Sequence, residues 1–179
     1  MIVDARPGRD VTDTKLLRRI FGAFATGVTV VTTGGQSPHG MTANAFSSVS
    51  LDPPLVLVCV DRGAIMHSRL GIGFFGVSVL ASDQEAVARH FADLSRPMGA
   101  VQFDGIDCTT GRLTGVPLIN NAMARFECEL WNSYEGGDHT IFIGRLLLVD
   151  RPDDGRDEAL LFYKGRFHRL ESGPSEVRA

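Results

Sequence analysis

The sequence has few cysteines and no long apolar run. Cys59, Cys108 and Cys128 are an odd number without CxxC spacing, which argues against a zinc ribbon, a thioredoxin-like pair or a disulfide framework. Cys59 and Cys128 sit in apolar strand-like runs, where a thiol behaves as a small hydrophobe, and the cysteines are expected to be buried and inert. The longest apolar runs, such as Leu55–Val60 and Ala159–Phe162, are far shorter than the roughly 20 residues that cross a bilayer, so no membrane span is expected. Charge of one sign is not in excess either. Lys and Arg number 18 against 21 Asp and Glu, and their scatter gives no electrostatic reason to expect nucleic acid as a partner. The five histidines are dispersed without HxH or HExxH, so no metal site is expected, and no nucleophile elbow is present. The start, Met1-Ile2-Val3-Asp4-Ala5-Arg6-Pro7, lacks a basic segment followed by an apolar one, and the expected location is cytoplasmic.

What is present reads as one domain. A chain of 179 residues buries roughly 70% of its unfolded surface, enough for a core. Leu16, Leu17, Ile20, Phe21 and Phe24 have the spacing of an amphipathic helix over 12–27, with Thr12 or Asp13 as N-cap and Gly27 as stop. Three strands should follow at 28–33, 42–50 and 55–60. Gly34-Gly35 through Pro38 and Asp52-Pro53-Pro54 punctuate them. A short helical turn over 66–70, a strand over 74–80 and a helix over 83–91 capped at Asp83 come next. A polar, Gly/Pro-bearing stretch runs to Gly115 and is the least readable part. Strands at 122–133, 140–149 and 159–170, the last broken at Lys164-Gly165, complete the chain. The two ends, 1–9 and 171–179, are polar and expected to fray. About six strands in antiparallel succession with few helices point to a mainly β barrel rather than a doubly wound parallel sheet.

One motif is misleading. Gly71-Ile72-Gly73-Phe74-Phe75-Gly76 spells G-x-G-x-x-G, but a dinucleotide fingerprint needs a strand before the glycines and a helix after them. Here a helical turn precedes and the apolar run Val77-Ser78-Val79-Leu80 follows. The stretch from Gly40 to Ser50 carries more information, because hydroxyls and an amide alternate beside a glycine. Such a strand can offer short donors and close backbone approach to a planar heterocycle or a phosphate. A plain Thr/Ser-rich strand with one solvated face has the same composition. Gly136-Gly137-Asp138-His139-Thr140 sets an imidazole at a turn, which is also where surface histidines commonly fall. Phe162-Tyr163-Lys164-Gly165-Arg166-Phe167 joins aromatics to a cation, either as a stacking platform or as a final hairpin.

Taken in order, four motifs resemble the short-chain flavin reductase family: Phe24-x-Thr26-Gly27-Val28-Thr29; Gly40-Met41-Thr42-Ala43-Asn44-x-Phe46-x-Ser48-Val49-Ser50-Leu51-x-Pro53-Pro54; Gly137-Asp138-His139; and Phe162-Tyr163-x-Gly165. The likeness spans Leu16 to about Leu170. It is strongest toward reductases of actinomycete natural-product and antibiotic pathways, a branch suggested by Ala88–Asp93 and Glu135–Phe142.

The resemblance implies a split β-barrel homodimer that uses NADH or NADPH to reduce FAD or FMN, with FAD favoured by analogy. Reduced flavin would diffuse to a partner flavin-dependent monooxygenase. It further implies flavin contacts from Pro38, His39, Gly40, Met41, Thr42, Asn44, Ala45 and Ser47. Cys59, Val60, Asp61 and the following loop with Arg62, Met66, His67 and Ser68 would approach the ribityl and phosphate groups. His90 and Phe91 match a further flavin-contacting pair. Gly137, Asp138 and His139, with Phe162, Tyr163, Lys164 and Gly165, would seat the nicotinamide.

The loop after the third strand lacks the Ser/Arg-rich phosphate pattern of many relatives, so phosphate binding is expected to lean on backbone N–H groups. Hydride transfer asks for positioning more than acid–base chemistry. Strand N–H groups with the Thr42 and Asn44 side chains would meet charge developing near flavin N1. His139 would orient the nicotinamide or protonate the reduced flavin. A pyridoxamine-phosphate-type oxidase and a non-catalytic flavin-binding module remain alternatives from sequence.

Overall fold

The computed structural model describes residues 11–71, 73–151 and 158–170. The chain ends expected to fray, and Ile72, lie outside these residues. Helix α1 spans Thr14–Phe21, and the Asp13 side chain caps it by accepting from the N–H groups of Lys15 and Leu16 at 3.0 and 3.1 Å. The helix stops at Gly22, not at Gly27, which belongs to β1 (Thr26–Gly27). The β-rich Val28–Thr33 run takes over the backbone before the helical pattern has finished.

Next come β2 (Thr29–Thr33), β3 (His39–Ala43), β4 (Phe46–Leu51) and β5 (Pro54–Asp61). The strand expected over 42–50 is thus two strands, broken at Asn44-Ala45. Helix α2 (Ile65–Leu70), β6 (Phe74–Val79) and α3 (Glu85–Ala92) follow. The residue at the α3 N-cap is Gln84 rather than Asp83, and it makes no side-chain capping bond. The stretch that sequence patterns left open holds a 3₁₀ turn over Gly99–Phe103 and β7 (Cys108–Thr110), which pairs with β8 (Pro117–Ile119). Strands β9 (Ala124–Gly136), β10 (His139–Asp150), β11 (Leu160–Tyr163) and β12 (Arg166–Arg169) complete the chain.

Seven strands form one antiparallel sheet in the order β3-β2-β6-β9-β10-β5-β4. A second sheet, β1-β11-β12, lies beside it. The helix of residues 65–70 before Gly71, with strand β6 after Gly73, removes any dinucleotide fingerprint from the glycine-rich segment.

Strand β2 is buried on both faces, as a continuous β-branched run requires. Val31 enters a core with Val58, Val60, Met66, Phe75, Val77, Cys128 and Phe142, under α2. Val28 and Val30 enter another with Leu80, Ala88, Phe91, Ile119 and Leu160, under α3. Only Cys128 among the three cysteines is fully buried, and burial pushes its thiol up to about 12. Cys59 and Cys108 are half-buried. The apolar side of α1 finds no place in either core: no α1 residue is buried, and Ile20, Phe21 and Phe24 are 50%, 68% and 77% exposed. Among the described residues no helix is long and apolar enough to cross a membrane.

Glu127 on β9 is a buried carboxylate that fastens the 111–115 loop to the sheet. It accepts from the N–H groups of Arg112, Leu113 and Thr114 at 2.9, 2.9 and 2.7 Å and from the Thr114 hydroxyl at 2.7 Å. Burial alone would raise its pKa, but these donors outweigh burial and hold it below the usual glutamate range. Its stabilisation is therefore complete above the unfolded-chain pKa, near 4.5, and is lost as pH falls through the lower folded value. Glu127→Gln turns an amide N–H₂ toward N–H donors and should cost about 2–4 kcal/mol at pH 7, or roughly 5–15 °C in Tm. Thermal melts should show that gap unchanged from pH 8 to 5 and shrinking below about pH 4.5.

Candidate functional site

Strand β3 is an edge strand, and its outward backbone groups at Pro38 and Gly40 are taken by side chains from the loop after α3. The fully buried Gln102 accepts from Gly40 N–H through Oε1 at 2.9 Å and donates from Nε2 to the carbonyls of Pro38 and Gly99, both at 2.9 Å. Arg96 donates from Nη2 to the Gly40 carbonyl and from Nη1 to the Asp93 carbonyl at 2.6 Å. By the alternation of an antiparallel ladder, Thr42 also turns its N–H and C=O away from β2. Phe91 of α3 packs so closely that a Cβ on Gly40 would lie 2.5 Å from its ring, so only glycine fits. The Thr42 hydroxyl donates to the Ala88 carbonyl at 2.7 Å. Its proton thus holds α3 in place and is not free for a ligand.

These contacts shape a cleft of about 380 Å³ between β3, the loop after β5 and the end of α3. Met41, Ile65, Met66, Phe91, Leu94 and Met98 give it apolar walls, and Arg96 is the cation among its lining residues. His39 also lines it, 3% exposed, with Arg96 Nη2 at 3.4 Å from Nε2. Burial, then Arg96, then Arg69 push the His39 pKa down to about 4, so the ring is neutral at physiological pH.

A groove of about 490 Å³ is lined by the other side of the same segment. Arg62, His67, Ser68, Ser133, Glu135 and Thr140 give it a polar lining. His67 Nε2 lies 2.8 Å from Thr140 Oγ1, and its ring stands edge-on to Phe142 at 5.4 Å. The Asp61 carboxylate accepts from Gly63 N–H at 2.7 Å and fixes the turn. Arg62 pairs with Glu135 at 3.1 Å in the open, a contact of small energetic weight.

The turn between β9 and β10 sits beside this groove, since Arg62 N–H donates to the Asp138 carbonyl at 3.0 Å and His139 pairs with Asp61. Gly137 has φ +76°, which makes the tight reversal possible. Asp138 Oδ1 lies 2.7 Å from His139 Nδ1. The His139 ring holds the Asp138 carboxyl below its usual range, and Arg18 of α1 adds to this. At the far end of α1, Lys164 N–H donates to the Gly22 carbonyl at 2.8 Å. The C-cap of α1 thereby touches the β11–β12 turn assigned to the nicotinamide by resemblance, while Arg18 acts on the β9–β10 turn through its charge.

Of the residues singled out in the sequence, the cleft gathers His39, Met41, Thr42, Met66 and Phe91, and the groove gathers Arg62, His67 and Ser68. Pro38 and Gly40 shape the β3 edge through their backbones. Val60 points into the core and offers no side chain to a ligand. Cys59 is half-buried and faces away from that core by strand alternation. Asn44, Ala45 and Ser47 are exposed around the break between β3 and β4. His90 is bound at Nε2 to the Gln102 carbonyl at 2.7 Å. Phe162 meets Phe167 edge-on at 5.4 Å against the core under α3, and Tyr163, Lys164 and Gly165 form the β11–β12 turn. Arg96, Gln102, Leu94 and Met98 were missed, because their loop has neither a helical nor a strand period.

The chain matches the flavin reductase-like domain model over residues 21–171. It is 53% identical over 171 residues to an NADH-dependent FAD reductase of Streptomyces globisporus, covering 95% of this chain and 93% of that protein. The solved NADH:FAD oxidoreductase SgcE6 of S. globisporus C-1027, in complex with NAD and FAD fragments, superposes with TM-score 0.85 at 52% identity, covering 90% of this chain and 95% of that one. BorF, the flavin reductase component of a bacterial two-component tryptophan halogenase, gives TM-score 0.85 at 55% identity, covering 90% and 100%.

Gln102→Leu should leave Gly40 N–H and the Pro38 and Gly99 carbonyls unpaired at a cost of about 3–5 kcal/mol. Hydrogen exchange at the Gly40 amide should accelerate far more than at the β9–β10 ladder; equal acceleration in both would show that Gln102 does not act locally on β3.

Proposed function

The chain belongs to the flavin reductase family, and from that premise we propose that it is an NADH-dependent FAD reductase supplying reduced flavin to a partner flavin-dependent monooxygenase. The observation that carries this reading is the β3 cleft, apolar-walled with a single lining cation, in a chain about half identical to an NADH-dependent FAD reductase over nearly its whole length. The residues present fit a flavin. The cleft walls suit a planar ring, the outward Thr42 N–H and C=O suit a ring edge carrying both acceptor and donor, and the adjoining groove offers hydroxyls and Arg62 to a phosphate-bearing chain. When bound, flavin accepts a hydride from the nicotinamide, and the chemistry belongs to the two cofactors.

The protein's part is to hold and orient. We assign the flavin ring to His39, Met41, Thr42, Met66 and Phe91, and its phosphate end to Arg62, His67 and Ser68. The nicotinamide goes to the turn at Gly137, Asp138 and His139 with the neighbouring turn at Tyr163, Lys164 and Gly165. Asp138 orients His139 through Nδ1. The two edge strands of the large sheet, β3 and β4, are consecutive in the chain, and Cys59 N–H donates to the Ala45 carbonyl between them at 3.0 Å. We read this as a split β-barrel forming a single domain.

We further read the molecule as a homodimer. Pairing of Cys59 with Ile141 and of Leu57 with Ile143 lines up four half-buried apolar side chains on the sheet's outer face, and exposed Val49 and Trp131 extend that surface.

Anaerobic mixing of protein, FAD and NADH should bleach the flavin absorbance; absence of bleaching with any pairing of FAD or FMN with NADH or NADPH rejects the reductase. An amine oxidase of the same architecture would ignore NADH, and a pure flavin carrier would bind without bleaching. His139→Ala should lower kcat/KM for NADH about tenfold or more while leaving flavin affinity intact; unchanged steady-state kinetics would remove His139 from the site. Ile143→Arg should convert the dimer to monomer in light scattering after size exclusion, and a wild type that elutes as monomer rejects the dimer.

A further inference from the structure

His39 opens β3 and lines the cleft, yet only half of its ring chemistry is used. Arg96 Nη2 lies 3.4 Å from Nε2. A guanidinium can only donate, so Nε2 accepts and the ring proton resides on Nδ1. That Nδ1 is buried and has no hydrogen-bond partner. A buried N–H without a partner is a standing cost that a ligand's acceptor removes.

Burial first, and then the guanidinium charges of Arg96 and Arg69, keep the ring neutral. Arg69 of α2 has its own Nη2 at 3.3 Å from the Ser37 hydroxyl. Asp93, the acid that acts on Arg96, spends its carboxylate on the Ser95 N–H and hydroxyl, both at 2.8 Å. Protonating Nε2 would set a third cation against two guanidinium groups.

We propose that Arg96 is a positioning residue that fixes the tautomer of His39, presenting the buried Nδ1–H as a neutral donor to a carbonyl or ring-nitrogen acceptor of the flavin in the cleft. The proposal rests on the flavin reading above. A neutral donor also suits a flavin that must leave after reduction. A cation at the same place would form a stronger, charge-assisted bond to anionic reduced flavin and slow its release. Arg96 contributes through His39 and through the Gly40 carbonyl, and these two effects separate by experiment.

FAD binding to the full chain, followed by fluorescence at pH 7 without NADH, should weaken about tenfold in His39→Phe, the equivalent of one buried hydrogen bond. Arg96→Met should weaken it similarly, Arg96→Lys should restore most of the loss, and the double variant H39F/R96M should be little worse than His39→Phe. Nitrogen-15 spectra of histidine-labelled protein should show the His39 proton on Nδ1 in the wild type and in Arg96→Lys, and a shift toward Nε2 in Arg96→Met. A merely structural Arg96 would leave that signature unmoved. The proposal is overturned if His39→Phe binds FAD as tightly as wild type, or if Arg96→Met keeps the Nδ1–H signature. Should Arg96→Met fail to fold, His39→Phe and Arg96→Lys decide the matter. A wild type that neither binds FAD nor oxidises NADH with it overturns the reductase reading as well, whereas an active wild type beside an unaffected His39→Phe overturns only this inference.

Discussion

The outward edge of β3 needs partners for its backbone amides, and much of the cleft depends on how it gets them. One buried side chain, Gln102, does what a neighbouring strand would otherwise do for Pro38 and Gly40. An amide suits this position because it carries a donor and an acceptor on one planar group, whereas a carboxylate could not donate to the Pro38 carbonyl. With that edge closed, Phe91 can press against Gly40, Thr42 can hold Ala88, and Arg96 can reach the Gly40 carbonyl. The cleft is the space these contacts leave open.

The catalytic demand calls for no conventional acid–base constellation. Hydride transfer between two bound heterocycles needs near-contact geometry more than a strong acid, so rigid walls are the main protein contribution. The long β9 and β10 strands serve this by carrying the turn at Asp138 and His139 to the end of β5, beside Arg62. The exposed pair of Arg62 with Glu135 adds little stability, as open ion pairs do. The buried Glu127, by contrast, makes its four hydrogen bonds away from water and fixes the 111–115 loop.

Helix, strand and turn signals were readable wherever local chemistry and tertiary context agreed. The β-branched run of β2, the Gly137-Asp138 reversal and the break at Lys164-Gly165 each appear where the residues place them. The reading failed where composition was ambiguous. Thr42 to Ser50 looks like one strand because small hydroxylic residues suit a pleated surface on either side of Asn44-Ala45, but the chain breaks there, since β3 and β4 lie at opposite edges of the large sheet. The amphipathic pattern of α1 demanded a core that this chain does not provide, so its apolar side stays exposed.

By itself the sequence determined the antiparallel β character, the order of the elements and the segments that carry the candidate site, because periodicity, turn residues and ordered motifs are local properties of the chain. Only the tertiary structure decided which members of those segments meet. It put His39 beside Arg96, 57 residues away, spent the Thr42 hydroxyl on a helix carbonyl, and turned Val60 into the core. The reason is physical. A side chain's partners are set by strand pairing and packing across the fold, and the loop that supplies Arg96 and Gln102 has no periodic signal of its own.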